Sequence, residues 1–287
     1  MRYHFVAAHA AVFDVAVMCR LLSLSRSGYY AWRARAPSRR AAADLALRAA
    51  IEALFARSRQ TNGSPRVHAE LRARGVRCGR HRVARLMRAA GWVARGHRAG
   101  RRTTRPGSTH WRIPDLVRRQ FHVARPNTIW ASDITFITTA DGWLYLAVVL
   151  DLASRRVVGW AMHPTLSEQL VLHALEMALV ARRPPAGTVH HSDRGAQYTS
   201  LRYQTVLAAH GLVPSVGRAG SCYDNAVVES FFHTLKRELL TGRGFRDRDA
   251  ARTAVFEYLE LWYNRQRRHS TLGYETPMQF EEQYIPV

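Results

Sequence analysis

Asp133, Asp193 and Glu229 are the side chains whose types and surroundings could do chemistry together. Asp133 interrupts the apolar, β-rich run Trp-Ala-Ser-Asp-Ile-Thr-Phe (130–136), where an acid is expensive to bury unless it is paired or binds a cation. Asp193 follows Val-His-His-Ser (189–192) and precedes Gly195, which lets the backbone turn. Glu229 falls in a helix expected to start near Asp224, a suitable N-cap. Gathered in one place, three carboxylates raise each other's pKa values, so the ionised cluster needs a cation. Ligands made of oxygen alone select Mg²⁺, with Mn²⁺ as a substitute, over zinc. Two such ions about 3.5–4 Å apart activate a nucleophile and stabilise a leaving oxygen in phosphodiester chemistry. Taken singly, each acid also has an ordinary reading: Asp193 as a turn residue, Glu229 as an exposed helix residue. The chain has no phosphate-binding Gly-Lys loop, nucleophile elbow, His-Glu-x-x-His or paired-cysteine metal motif.

The elements that must position these acids are written in the periodicity. From Ile129 on, the runs around 129–138, 142–152 and 155–162 are β-rich and separated by short turns, which predicts three consecutive antiparallel strands. A helix over about 167–182, a strand over 188–192, a helix over about 200–210 and a strand over 213–217 follow. The order βββ-α-β-α-β-α predicts a mixed five-stranded sheet flanked by helices, an α/β core. Ahead of it the chain reads as all-α. Residues 14–34 predict two short helices about a turn at Ser23–Ser25, with Ser25 capping the second, which is helix-turn-helix spacing. A further helix around 45–55, one opening at Pro65, and one over about 80–90 ending at Gly91 complete a second helical unit. The domains expected are therefore 1–36, a helix-turn-helix segment; 40–93, a helical DNA-binding unit; 94–126, a basic linker; and 127–287, the catalytic core with C-terminal helices.

Charge separates along the same boundary. Residues 1–126 hold 27 arginines against 5 acids, while the remainder holds 16 basic and 16 acidic residues. A polycationic front half points to a polyanion, above all nucleic acid, because neutralised phosphates release counterions. Arg80, Arg82, Arg85 and Arg88 lie partly on one face of the last helix of the second unit and are expected on DNA, as are Arg101 and Arg102 in the linker and the cluster Arg265, Arg267, Arg268 and His269. The three cysteines are odd in number and far apart, so neither a disulfide framework nor a zinc finger follows. The N-terminal apolar run is broken by His9 and Asp14, and no stretch is long enough to span a bilayer, so a reduced, cytoplasmic, nucleoid-associated protein with no membrane partner is expected.

Spacing and flanking words narrow the chemistry. Exactly ordered Asp, Asp and Glu, with 35 residues between Asp193 and Glu229, resemble the DDE triad of transposases and retroviral-type integrases. The words W-x-x-D-I-T (130–135), H-S-D-R-G-x-Q-Y (191–198), S-x-x-D-N-A-x-x-E-S-F-F-x-x-L-K-x-E (221–238) and Y-N-x-x-R-x-H-x-x-L-G-Y-x-T-P-x-x-F (263–280) resemble the second-reading-frame transposases of the third family of bacterial insertion sequences. The front half is similar to that family too, although Thr61-Asn62-Gly63 stands where members usually have Tyr-Gly before Ser-Pro-Arg. The resemblance implies an RNase H-like integrase core in which Asp133, Asp193 and Glu229 bind two Mg²⁺. It implies that water cuts one strand at the element end and that the freed 3′-OH attacks another phosphodiester directly, with no covalent protein–DNA intermediate. It also implies terminal-repeat and target DNA as substrates, at least a dimer to pair two ends, and an upstream-frame DNA-binding product as fusion or partner. Two other readings stay open at this level: a DNA-binding regulator on an inactive core, and an RNase H-like nuclease without strand transfer.

Several further residues carry expectations. Lys236 is the single lysine among 43 basic residues and lies seven residues after Glu229, on the same helix face. A compact ammonium reaches a phosphate where a broad guanidinium would crowd a metal ligand, and the resemblance implies a DNA contact near the cut phosphate. Asn225 is expected to orient a ligand or phosphate, or to serve as a second cap. Asp151 reads as a turn cap, His190 as a packed strand-end residue, and Trp130, Trp143 and Trp160 as core.

Overall fold

The computed structural model describes residues 2–36, 38–95, 113–217, 225–241 and 244–284; Arg101, Arg102 and Asp224 lie outside these. Six helices come first: α1 Arg2–His9, α2 Val15–Leu21, α3 Arg26–Ala34, α4 Arg39–Arg57, α5 Ser64–Ala73 and α6 Arg80–Ala89. The Ser25 hydroxyl accepts the Gly28 N–H and so caps α3, while Pro65 sits in the first turn of α5, where its missing N–H costs nothing. Two small cores result. Val6, Met18, Cys19 and Tyr29 close the first three helices, and Leu47, Ile51, Leu54, Phe55, Val67, Leu71, Val83, Leu86 and Met87 close the next three. Helix α1 was not expected from the sequence: its apolar residues show no clean period, and only Val6 among them is buried.

The α/β part is one five-stranded sheet of order β3-β2-β1-β4-β5, from β1 Ile129–Thr139, β2 Gly142–Asp151, β3 Val157–His163, β4 Val189–Ser192 and β5 Val213–Val216. The hairpin β1–β2 is antiparallel, with Trp130 opposite Asp151 and Thr139 opposite Gly142, whose φ of +97° suits a glycine at the turn. Helices α7 Glu168–Arg182 and α8 Leu201–Ala209 cover one face, where Trp130, Val149, Leu175, Tyr203 and Leu207 are buried. On the other face lie α9 Ala226–Leu235 and α10 Arg248–Phe256, packed on Ile137, Leu146, Val148 and Leu150. Gly159 on β3 has no room for a side chain, since a Cβ there would run into the Ala174 carbonyl of α7. A short α11, Pro277–Glu282, opens with a capping box from Thr276 and Gln279.

Two helices change pitch. Helix α9 continues as a π-helix over Lys236–Leu240, closed by Thr241 N–H to the Lys236 carbonyl at 2.9 Å, and α10 continues as one over Glu257–Tyr263. Such wide turns rotate every later side chain out of the 3.6-residue phase.

Asp151 is a turn cap, accepting the N–H groups of Ala153, Ser154 and Asn127. Trp130 is fully buried, but the expectation of a core Trp143 is corrected: it is 53% exposed, next to the turn of the hairpin. No helix among the described residues is long and apolar enough to cross a membrane.

Candidate active site

The sheet itself brings Asp133 and Asp193 together. Strands β1 and β4 run parallel, pairing Ile129 with Val189, Trp130 with His190 and Ala131 with His191. Two residues further on in this register stand Asp133, midway along β1, and Asp193, just past the end of β4, side by side and on one face. This is also where the strand order reverses from descending to ascending, the place where α/β sheets open a crevice for ligands. Asp193 is held by its own turn: Oδ1 accepts the Gly195 N–H at 2.9 Å, and a Cβ on Gly195 would stand only 2.9 Å from that oxygen. Asp133 Oδ1 accepts the N–H of Ile134 at 2.8 Å.

Glu229 approaches from the first turn of α9 on the exposed side of that helix. Asn225, 7% exposed, fixes the helix start against β1, its side-chain amide donating to the Ser132 carbonyl at 3.0 Å next to Asp133. Asn225 stands at the N-cap position of α9 without a side-chain cap bond, and its amide serves as a strut to β1. Beneath the site His190 is buried between the Ser132 hydroxyl at 2.9 Å and the Tyr203 hydroxyl at 3.1 Å, and burial, with His191 beside it, lowers it to about 3. It is a neutral packing residue.

The electrostatics identify the strained member. Burial above all, then the Asp193 and Glu229 charges, push the Asp133 carboxyl up to about 8, against the pull of the Ile134 N–H and the Lys236 ammonium. Burial also raises Asp193, with the Gly195 N–H opposing. Lys236 is itself lowered by burial, and the Asp133 charge opposes that. Among the described residues no three carboxylate, imidazole or thiol groups stand close enough to hold one ion. The donor set is nonetheless all oxygen and short of positive charge, which fits a hard divalent cation.

Residues 123–222 and 210–277 match the integrase core domain family, and residues 42–100 match the HTH-like domain family. Transposase InsF of insertion sequence IS3A from Escherichia coli K12 is 43% identical over 294 residues, covering 99% of this chain and 100% of its own. The chain belongs to the IS3-family transposases. A 31 kDa protein of insertion element IS600 from Shigella sonnei is 42% identical over 267 residues, 93% of this chain and 98% of its own. The HTLV-2 integrase catalytic core domain in complex with magnesium is similar at 19% identity, with a TM-score of 0.41 over 55% of this chain and 97% of its own. The transposase is a polynucleotidyl transferase with an integrase core, preceded by an HTH-like helical region.

The other residues expected on DNA divide into exposed and engaged. Arg80, Arg88 and Arg265 are exposed. Arg82 and Arg85 both bond Asp44 of α4, each at 2.6 Å, and together they hold its carboxyl below the usual range. The C-terminal cluster is corrected, because it is not one basic surface. Arg268 binds Glu70 of α5 at 2.6 Å, and His269 is buried, where desolvation and the Arg267 charge keep it neutral. Arg267 lies buried against Glu238 at 3.0 Å. Glu238 was missed as a structural centre: it also receives Tyr258 Oη at 3.0 Å and Arg66 of the HTH-like region at 3.5 Å. Helical phase could not reveal it, because the π-helix turns it inward; its only signal is its place in the word L-K-x-E.

Proposed function

We propose that this transposase binds the ends of its insertion element and catalyses strand cleavage and strand transfer at a centre formed by Asp133, Asp193 and Glu229. The observation that carries the reading is the parallel register of β1 and β4, which sets Asp133 beside Asp193 within the field of Glu229. These three carboxylates would hold two Mg²⁺, with Mn²⁺ as a substitute; when bound, the ions supply activation of the attacking oxygen and stabilisation of the leaving one. The chain's own residues do the rest. Asp133, on the sheet, and Asp193, on its glycine turn, give a rigid pair of ligands, while Glu229 closes from the mouth on α9. Lys236 binds the phosphate next to the scissile bond and holds the strand in line with the carboxylates. Water in cleavage, and the freed 3′-OH in transfer, attacks the phosphorus directly as the P–O3′ bond of the strand being cut breaks and its 3′-oxygen leaves with a proton, so no side chain forms a bond to DNA.

In this reading residues 1–36 and 40–93 are DNA-binding units, 94–126 a basic linker and 127–287 the catalytic core. Arg80, Arg88, Arg101, Arg102 and Arg265 serve as phosphate contacts. Pairing two ends calls for at least a dimer, and the upstream-frame product is a fusion or partner; the DNA substrate places the work at the nucleoid, in the cytoplasm.

The test is Asp193→Asn. It removes one charge without changing shape, so Mg²⁺-dependent cleavage and joining should vanish while end binding persists. Unchanged joining would reject the triad.

A further inference from the structure

Three residues along β1 from Asp133, Phe136 is 40% exposed, and across the hairpin Trp143 on β2 is 53% exposed. Their rings stack with centroids 5.2 Å apart and planes at 26°. Tyr145 meets Trp143 edge-on at 6.2 Å, and the Lys236 ammonium stands 5.3 Å from the centroid of Phe136. A continuous row thus leads from Lys236, whose charge acts on Asp133, through one ring to a second whose surface is open to water.

Packing does not require these rings. The alternate residues Ile137 and Leu144 are 1% and 0% exposed and already bury the inner face of the hairpin. Strand β4 pairs with β1 only over 129–131, so the half of β1 carrying Phe136 has no partner from β4. The charges flanking the rings are two cations and one acid. Besides Lys236, Arg248 donates to the carbonyls of Asp141 and Trp143, and the nearby Asp141 carboxylate accepts the Arg248 N–H. Exposed aromatic faces flanked by cations are what a single strand of nucleic acid uses: each base offers a π-face whatever its identity, and its phosphates take the cations.

We propose that Phe136 and Trp143 form a stacking platform for an unpaired base of the DNA end, with Lys236 on the adjoining phosphate. This rests on the transposase reading and adds a binding site to it. Strand alternation sets the rings on the sheet face opposite Asp133, and Lys236, whose ammonium stands against Phe136 and whose charge acts on Asp133, links the two; the platform holds one base out of the duplex and does so without reading sequence.

The test uses the full chain with Ca²⁺ in place of Mg²⁺ and a duplex bearing a short single-stranded 5′ extension, with 2-aminopurine at each extension position in turn. Stacking quenches the fluorescence of one position. Trp143→Phe keeps the quench, whereas Trp143→Ala abolishes it and weakens binding of the extended duplex about tenfold. Affinity for a blunt duplex and the thermal unfolding temperature stay unchanged in both variants. Absence of quenching in the wild type, or an undiminished quench and affinity in Trp143→Ala, overturns the platform. So does a changed sedimentation behaviour of Trp143→Ala with the quench intact, which makes the rings a contact between copies. Asp193→Asn, assayed for joining with Mg²⁺ on the same DNA, separates the two ideas. If it loses joining while Trp143→Ala keeps the quench, the platform alone falls; if it retains joining, the catalytic reading falls.

Discussion

Glu238 and Asp133 are carboxylates of the same catalytic half, but one is compensated from every side and the other is not. Glu238 receives Arg267 at 3.0 Å, the Tyr258 hydroxyl at 3.0 Å and Arg66 at 3.5 Å. Burial alone would raise its pKa, and these partners more than offset that, so it titrates below the usual carboxylate range. Asp133 accepts one backbone N–H and faces two further acids, and it is pushed up to about 8. Neither Asp133 nor Asp193 makes an ion pair among the described residues, in a chain carrying 43 basic residues. The difference teaches what each region is for. Arginine compensates Glu238, as it also does Glu281, which binds Arg182 at 2.7 Å and Arg156 at 2.6 Å, while the buried turn cap Asp151 is held by three backbone N–H groups instead. Asp133 and Asp193 have neither an arginine nor a set of N–H donors of that kind among the described residues, which is what the proposed cation site calls for.

Substitution should expose that contrast most strongly at Glu238. Glu238→Gln leaves the buried Arg267 charge without its carboxylate, and a loss of about 3–5 kcal/mol in denaturant unfolding is expected. Asp133→Asn in metal-free buffer at neutral pH should do the reverse, gaining about 1 kcal/mol by removing a buried carboxyl that must take up a proton on folding. Equal losses in both variants would erase the distinction.

Acid should sharpen it. Glu238 and Glu70 both have folded pKa values below their ordinary ones: burial opposes this in each, but Arg267 and Arg268 respectively prevail. Their stabilisation is therefore complete above the ordinary carboxylate range and lost as pH falls through the lowered values. Because Arg66–Glu238 and Glu70–Arg268 join the HTH-like region to the core, limited proteolysis between residues 95 and 113 should accelerate in that acid window. A rate independent of pH would contradict this. An effect smaller than that at Glu238 is expected at Lys236. Lys236→Arg keeps charge and fold but sets a wide guanidinium beside Asp133, so end processing should fall roughly tenfold while end binding holds.

The sheet and its helices were legible because their apolar periods are clean and their turns carry glycine, proline or capping serine. The acids Asp133 and Asp193 were legible for the same reason: one interrupts an apolar strand and the other ends one. What the sequence concealed depends on tertiary geometry. Arg267, Arg268 and His269 form a basic run in the chain, yet a π-helix and the returning HTH-like region send two of them into ion pairs and the third into the core. Asn225 reads as a helix-end residue, and its strut to β1 stayed hidden because the partner it holds, the Ser132 carbonyl, is 93 residues away in sequence. Trp143 follows the strand alternation, yet it stands 53% exposed beside the hairpin turn.

The central claim is that Asp133 and Asp193 are left uncompensated so that a divalent cation completes them. Thermal unfolding of the full chain against Mg²⁺ concentration tests it most directly, since a ligand that binds only the folded state raises its stability by mass action. The wild type should gain melting temperature as Mg²⁺ is added, and Asp193→Asn should lose that gain. A wild-type melting temperature indifferent to Mg²⁺, or an equal rise in the variant, would contradict the account.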